Sequence, residues 1–148
     1  MKAYLTRRYM FAASHRLHSD ALTDAENTET YGKCNNPYGH GHNYAVEVTV
    51  SGQVNRNTGM VCNLVDLDEC FRREVMERFD HKSLNSRPEF AKLVPTTENL
   101  AGVIYQILKR QFHTAHLEKV RIEETLNNSF EFCGEAHCNA SVSPAMGK

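Results

Sequence analysis

From His40 to Ser51 the chain alternates without interruption. Tyr44, Val46, Val48 and Val50 fall on one parity, and Ala45, Glu47, Thr49 and Ser51 on the other. Successive side chains of a strand point to opposite sides, so this stretch reads as a β-strand with its tyrosine and valines toward a core. His40 and His42 stand at the head of that strand, on the apolar parity. Any fold built on this strand must therefore bring two imidazoles together at one end of a sheet.

The remaining elements follow from periodicity. Residues 4–17 alternate, with Tyr9, Phe11, Ala13 and His15 sharing one face of a first strand. Residues 18–39 are polar and read as a long loop, a kind that in compact domains is usually functional or disordered. After a turn at Asn55–Gly59 and a short extended stretch from Met60 to Leu64, Leu64, Leu67, Phe71, Val75 and Phe79 recur at helical spacing. That helix should end near Asp80 and His81. A second helix should begin at Thr96 or Thr97, either of which could cap it, with Leu100, Ile104, Ile107, Leu108 and Phe112 as its stripe. Lys119 to Thr125 and Phe130 to Cys133 read as two more strands around a turn at Asn127 and Asn128.

The order ββααββ implies an α+β domain, a four-stranded antiparallel sheet with two helices on one face. So small a sheet has exposed edges, which subunits could close by pairing. One domain is expected over residues 1–135, with a loose tail at 136–148.

Composition narrows the partners. The chain has 148 residues, 24% of them charged, with a formal net charge of -1. Nothing in that balance attracts a nucleic-acid backbone or an anionic membrane. No apolar run approaches membrane-spanning length. Arg7 and Arg8 come early, but Ser14, His15 and Arg16 break up the stretch after them, so the expected location is cytoplasmic. The odd number of cysteines, five, argues for free thiols.

Three centres carry chemistry. His40 and His42 point to one side of their strand, and His15 ends the first strand on the matching parity. If the two strands pair as a hairpin, the three imidazoles meet. Three protein ligands and an open position are typical of catalytic zinc. His18 competes for third ligand from the opposite parity. Cys34, in a polar context just before this pair, could serve as base or nucleophile, or as a fourth ligand closing a structural site. Asp80 beside His81 could orient an imidazole for proton transfer. Glu124 shares the parity of Val120 and Ile122, and a carboxylate on an apolar face calls for a partner, such as an amidine-like ring edge with two N–H donors.

Taken together, these residues resemble the 6-pyruvoyl-tetrahydropterin synthase family. The matching pieces are Phe11 through His18, Gly32 through Pro37 running into Gly39 through Tyr44, Thr58 through Val61, Leu67, Asp80 through Lys82, Thr96 through Asn99, and Glu124 with Thr125. The resemblance implies a T-fold (tunnelling fold) assembled as a homohexamer, a dimer of trimers, with active sites between subunits. It implies a lyase that converts the small molecule 7,8-dihydroneopterin triphosphate to 6-pyruvoyl-tetrahydropterin, eliminating triphosphate on the route to tetrahydrobiopterin. By position, His15, His40 and His42 would be the zinc ligands and Cys34 the proton-abstracting residue. Asp80 and His81 would be its relay, and Glu124 the pterin anchor, with Thr96 and Thr97 near the same ring. The triphosphate needs cations, for which Arg16, Lys33, Lys82 and Arg87 are available. The Cys34-Asn35-Asn36-Pro37 spacer favours this product over that of the related 6-carboxy-tetrahydropterin synthase of queuosine biosynthesis. A non-catalytic structural zinc module is the reading from another class.

Overall fold

The computed structural model describes residues 1–134; the expected tail at 136–148 lies outside the described residues. In chain order the elements are β1 (Lys2–His15), α1 (Asp24–Tyr31), β2 (His40–Gln53), α2 (Leu64–Phe71), α3 (Glu77–Phe79), β3 (Lys82–Ser83), α4 (Thr97–Gln111), β4 (His116–Thr125) and β5 (Asn128–Phe132). A π turn, Arg72–Met76, joins α2 to α3, so the helical run expected from the Leu64–Phe79 stripe is continuous.

β1 and β2 form a long antiparallel hairpin in unbroken register from Lys2 opposite Gln53 to His15 opposite His40. β4 pairs with β2 and β5 with β4, both antiparallel. The sheet nevertheless has five strands in the order β3-β1-β2-β4-β5, because β3 lies parallel to β1 at Ala13 and Ser14. The expectation of four antiparallel strands is thus corrected to a mixed five-stranded sheet. Two residues carry no alternation that a sequence could display. What lays β3 beside β1 is the preceding pair: the Ala12 N–H donates to Asp80 Oδ1 at 3.0 Å, and the His81 N–H to the Ala12 carbonyl at 2.6 Å.

The helices cover one face of this sheet. Phe11, Tyr44, Val46, Val48, Val120 and Ile122 meet Leu67, Phe71, Val75 and Phe79 on one side and Leu100, Ile104 and Leu108 of α4 on the other, all buried. Each such side chain removed from water stabilises the fold by about 1.5–3 kcal/mol before the entropy of ordering it. The opposite face carries an ion-pair cluster. Arg8 bridges Glu47 and Glu123, and Arg121 bridges the same two carboxylates.

Two local departures have plain causes. The segment 18–39, expected as loop, contains α1 and then a 3-10 turn, Gly32–Asn35. α1 has almost no apolar face. Its stability comes from the Thr23 cap, whose side chain accepts from Glu26 N, and from buried Asn27, whose amide donates to the Ser19, Leu22 and Thr23 carbonyls. The stretch before α2, expected as extended, pairs with no described strand and ends at Asn63, which keeps extended angles and caps the helix by accepting from Val65 N. Among the described cysteines, Cys34, Cys62 and Cys70 are free, whereas Cys133 is disulfide-bonded; an odd count guarantees only one unpaired thiol. No described helix is long and apolar enough to cross a membrane.

Candidate metal centre and surrounding cleft

The hairpin register sets the centre. His15 faces His40 directly across β1 and β2, and His42 follows two residues on, on the same side of the sheet. Their ring centroids lie 4.7–4.9 Å apart, and their ligand atoms all fall within 4.8 Å of one another. His15 Nε2 and His40 Nε2 are 3.2 Å apart. Three imidazoles around a point that close suit an ion bound at about 2.0–2.1 Å from each nitrogen.

The ring chemistry supports the same fit. His15 is 1% exposed, and its Nδ1 lies 2.8 Å from the Pro95 carbonyl. A carbonyl only accepts, so Nδ1 carries the proton and Nε2 presents its lone pair to the cluster. Burial lowers the His15 pKa; the Pro95 carbonyl opposes that shift, and His42 and His40 add to it. Burial likewise lowers that of His42. Both shifts favour the neutral ring, the form that binds a metal. His42 Nε2 is buried with no hydrogen-bond partner, a polar atom that a cation would satisfy.

Among the described residues the group able to hold a metal contains the three histidines and no cysteine. Cys34 stands in the 3-10 turn, half-buried, in a cleft it shares with Gly32, Lys33, Asn36 and His40. This favours an open metal position over a four-ligand structural site. Burial pushes the Cys34 thiol up, and the Glu124 carboxylate pushes it the same way. The turn is tied to the end of β1: the Leu17 N–H donates to the Cys34 carbonyl at 2.8 Å, and the Asn35 amide to the Leu17 carbonyl at 2.7 Å.

Glu124 reaches the same place from β4. Its Oε1 lies 3.4 Å from His42 Nε2 and 3.7 Å from His15 Nε2, with the side chain 15% exposed. The parity expectation holds on both sides, since neighbouring Glu123 is engaged by Arg8 and Arg121 on the opposite face. A register shift between Glu123 and Thr125 marks the position.

His81 borders a second cleft, together with His42 and Lys82 but without Cys34. It has φ 58, a left-handed conformation, and its side chain is 83% exposed. Its Nε2 is 3.6 Å from Oδ2 of the neighbouring Asp80. The fold thus brings together the histidines, Cys34 and Glu124, while His81 borders a cleft that contains His42 but not Cys34. Thr96 caps α4, accepting from the Asn99 N–H, and Thr97 Oγ1 is buried without a partner. Lys33 lines the Cys34 cleft and Lys82 the His81 cleft, while Arg16 Nε donates to the Asn35 carbonyl and Arg87 Nε is buried unpartnered.

Sequence reasoning missed two groups behind His15. One is the Pro95 carbonyl, which no side-chain pattern could announce. The other is the buried Tyr44 hydroxyl, 3.3 Å from His15 Nδ1, which shares the parity of His40 and His42. Burial, with Glu124 and Cys34 nearby, pushes the Tyr44 phenol well above its ordinary range.

The chain is similar to known proteins over most of its length. The family model described as 6-pyruvoyl tetrahydropterin synthase matches residues 4–135. A Poecilia reticulata protein named 6-pyruvoyl tetrahydrobiopterin synthase is 50% identical over 133 residues, covering 89% of this chain and 90% of that one. The Homo sapiens protein of the same name is 47% identical over 135 residues, covering 90% and 93%. The solved structure of Caenorhabditis elegans 6-pyruvoyl tetrahydropterin synthase superposes with a TM-score of 0.87 at 41% identity, covering 90% of this chain and 96% of that one.

Proposed function

We propose, from the premise that this chain belongs to the 6-pyruvoyl tetrahydropterin synthase family, that it is a zinc-dependent lyase. It converts 7,8-dihydroneopterin triphosphate to 6-pyruvoyl-tetrahydropterin and triphosphate. The observation that carries the reading is the convergence of His15, His40 and His42 with Glu124 beside them. Residues 1–135 act as one catalytic domain.

His15, His40 and His42 hold the metal through neutral imidazoles. When bound, zinc polarises the oxygens of the substrate's side chain as a Lewis acid and so acidifies the adjacent C–H. The carboxylate of Glu124 accepts two hydrogen bonds from the ring's amidine edge and fixes the pterin against the cluster, a positioning role. Thr96 and Thr97, at the start of α4, flank the same ring.

Cys34 abstracts the acidified proton. Because burial and Glu124 both raise its pKa, the thiol needs a proton acceptor and a cation nearby to act as thiolate. His81, oriented by Asp80, is that acceptor and returns protons at the later tautomerisation. Triphosphate leaves with the electron pair of its C–O bond, which gives the first ketone on tautomerisation. The two hydrogens lost as the remaining carbinol becomes the second ketone pass by tautomerisation to the ring's C6=N5 bond, turning dihydropterin into tetrahydropterin, so no external oxidant or reductant is needed.

Cys34 and His81 open into different clefts of one protomer. A homohexamer, two stacked trimers with sites between subunits, would let His81 of one chain serve Cys34 of the next. The strands β3 and β5 at the sheet edges are available for such pairing.

The test is mass spectrometry of the product formed from dihydroneopterin triphosphate by zinc-loaded protein. A pyruvoyl side chain, lost on chelation and restored by zinc, is the expected result. A 6-carboxylate would transfer the chain to the related carboxy synthase reaction. No product, with metal retained, would leave a structural zinc module.

A further inference from the structure

We infer that Asn99 is a positioning residue for the metal centre, acting through the turn at Pro95; this rests on reading the histidine cluster as a zinc site. The far nitrogen of His15 meets a backbone carbonyl, that of buried Pro95, at 2.8 Å. That contact selects the tautomer and fixes the ring plane, the part that carbonyls and carboxylates play behind metal-bound histidines in general. The orientation of one carbonyl therefore sets where Nε2 points.

Two features aim that carbonyl. The Thr96 N–H donates to the Val94 carbonyl at 2.8 Å, closing a three-residue turn centred on Pro95. Proline's fixed φ of about −65° lies close to the roughly −75° of such a turn, so the ring itself favours it. The Asn99 amide then donates to the same Val94 carbonyl, also at 2.8 Å. Asn99 is in turn held at the start of α4, its own N–H donating to Thr96 Oγ1. With Val94 doubly engaged, the next carbonyl, Pro95, is left to turn toward β1 and accept from His15. The line Asn99–Val94–Pro95–His15 joins the first turn of α4 to the end of β1.

The test compares wild-type protein with Asn99→Asp, which keeps the shape but loses the N–H donor, and with Asn99→Ala. Zinc affinity is measured by competition with a chromogenic chelator. Exchange of the His15 Nδ1 proton is measured by NMR on metal-free protein. Both variants should bind zinc about 10–100-fold more weakly. The His15 ring proton should exchange faster, and kcat should fall more than KM changes. Pro95→Ala keeps the carbonyl and loosens the turn. It should shift both readouts in the same direction by less, and it decides the matter if the Asn99 variants do not fold.

A folded variant with a lower melting temperature but unchanged zinc affinity and ring-proton exchange would overturn the inference, leaving Asn99 a helix cap. Should the wild-type protein take up no zinc, the metal reading would fall by itself. The exchange of the His15 proton would still report whether Asn99 holds that ring.

Discussion

Gly39 lies against the backbone of His15. A Cβ on Gly39 would stand 2.8 Å from the His15 carbonyl oxygen, and the glycine has φ +69, where other residues are strained. The chain thus re-enters the sheet directly behind His15, with room for hydrogen alone. Gly39→Ala should cost about 1–3 kcal/mol of stability. It should also displace His40 from His15 and lower zinc content. Urea denaturation and metal analysis together check this; an alanine variant with full zinc and an unchanged midpoint would contradict it.

Cys34→Ala should lower kcat by about a hundredfold to ten-thousandfold, the range for a lost proton-transfer group. Zinc should stay near stoichiometric, because the metal group contains the three histidines without Cys34. Steady-state kinetics paired with metal analysis read the two effects apart. Loss of metal together with turnover would recast Cys34 as a ligand.

Glu124→Ala should chiefly weaken substrate binding, raising KM about tenfold or more as a charge-assisted pair of hydrogen bonds is lost. The fold should tolerate the change, since the carboxylate lies 3.4 Å from His42 Nε2 and accepts a long 3.3 Å bond from the Asn128 amide. Titration of the metal-loaded variant with substrate gives the affinity. An unchanged value would remove Glu124 from the ring site.

Acid should unpick the opposite face of the sheet. Hydrogen bonds from Arg8 and Arg121 hold the Glu123 carboxyl well below its usual range, at about 2. A depressed folded-state pKa means stability that is present above the ordinary value of 4.5 and lost as pH falls through about 2. Melting temperatures of wild type and Glu123→Gln should therefore differ at pH 6 and converge towards pH 2. Because Glu123 lies half-buried at the surface, added salt should shrink the difference. Parallel curves over the whole range would show that the cluster adds nothing.

The fold was legible wherever one face of an element is apolar and the other is not. Tyr44, Val46, Val48 and Val50 announce β2, and the Leu64–Phe79 stripe announces the helical run through its π turn. If β1 and β2 pair as a hairpin, their alternation brings the ends carrying His15 and His40 together, and the structure sets the two residues directly opposite. Elements held by polar contacts left no such trace. α1 depends on Thr23 and Asn27, and β3 on the docking of Asp80 against Ala12. Within the site, Cys34 and Glu124 could be suspected from context and parity. The Pro95 carbonyl could not, because backbone groups carry no letter of their own, and the residue that aims it, Asn99, lies on another element.

On the proposed zinc reading, the pairing of His15 with His40 also uncouples two properties that usually change together. Residues 16–39 leave the sheet and return to it at neighbouring points, so the span between them can be lengthened, shortened or rewritten at modest entropic cost. Such edits would leave the ligands in place while exchanging the segment that carries Cys34. The hairpin behaves as a fixed socket, and the intervening segment as an interchangeable tool fitted beside it. New reactivity could arise in such a scaffold by replacing the tool, without the metal having to be recruited again.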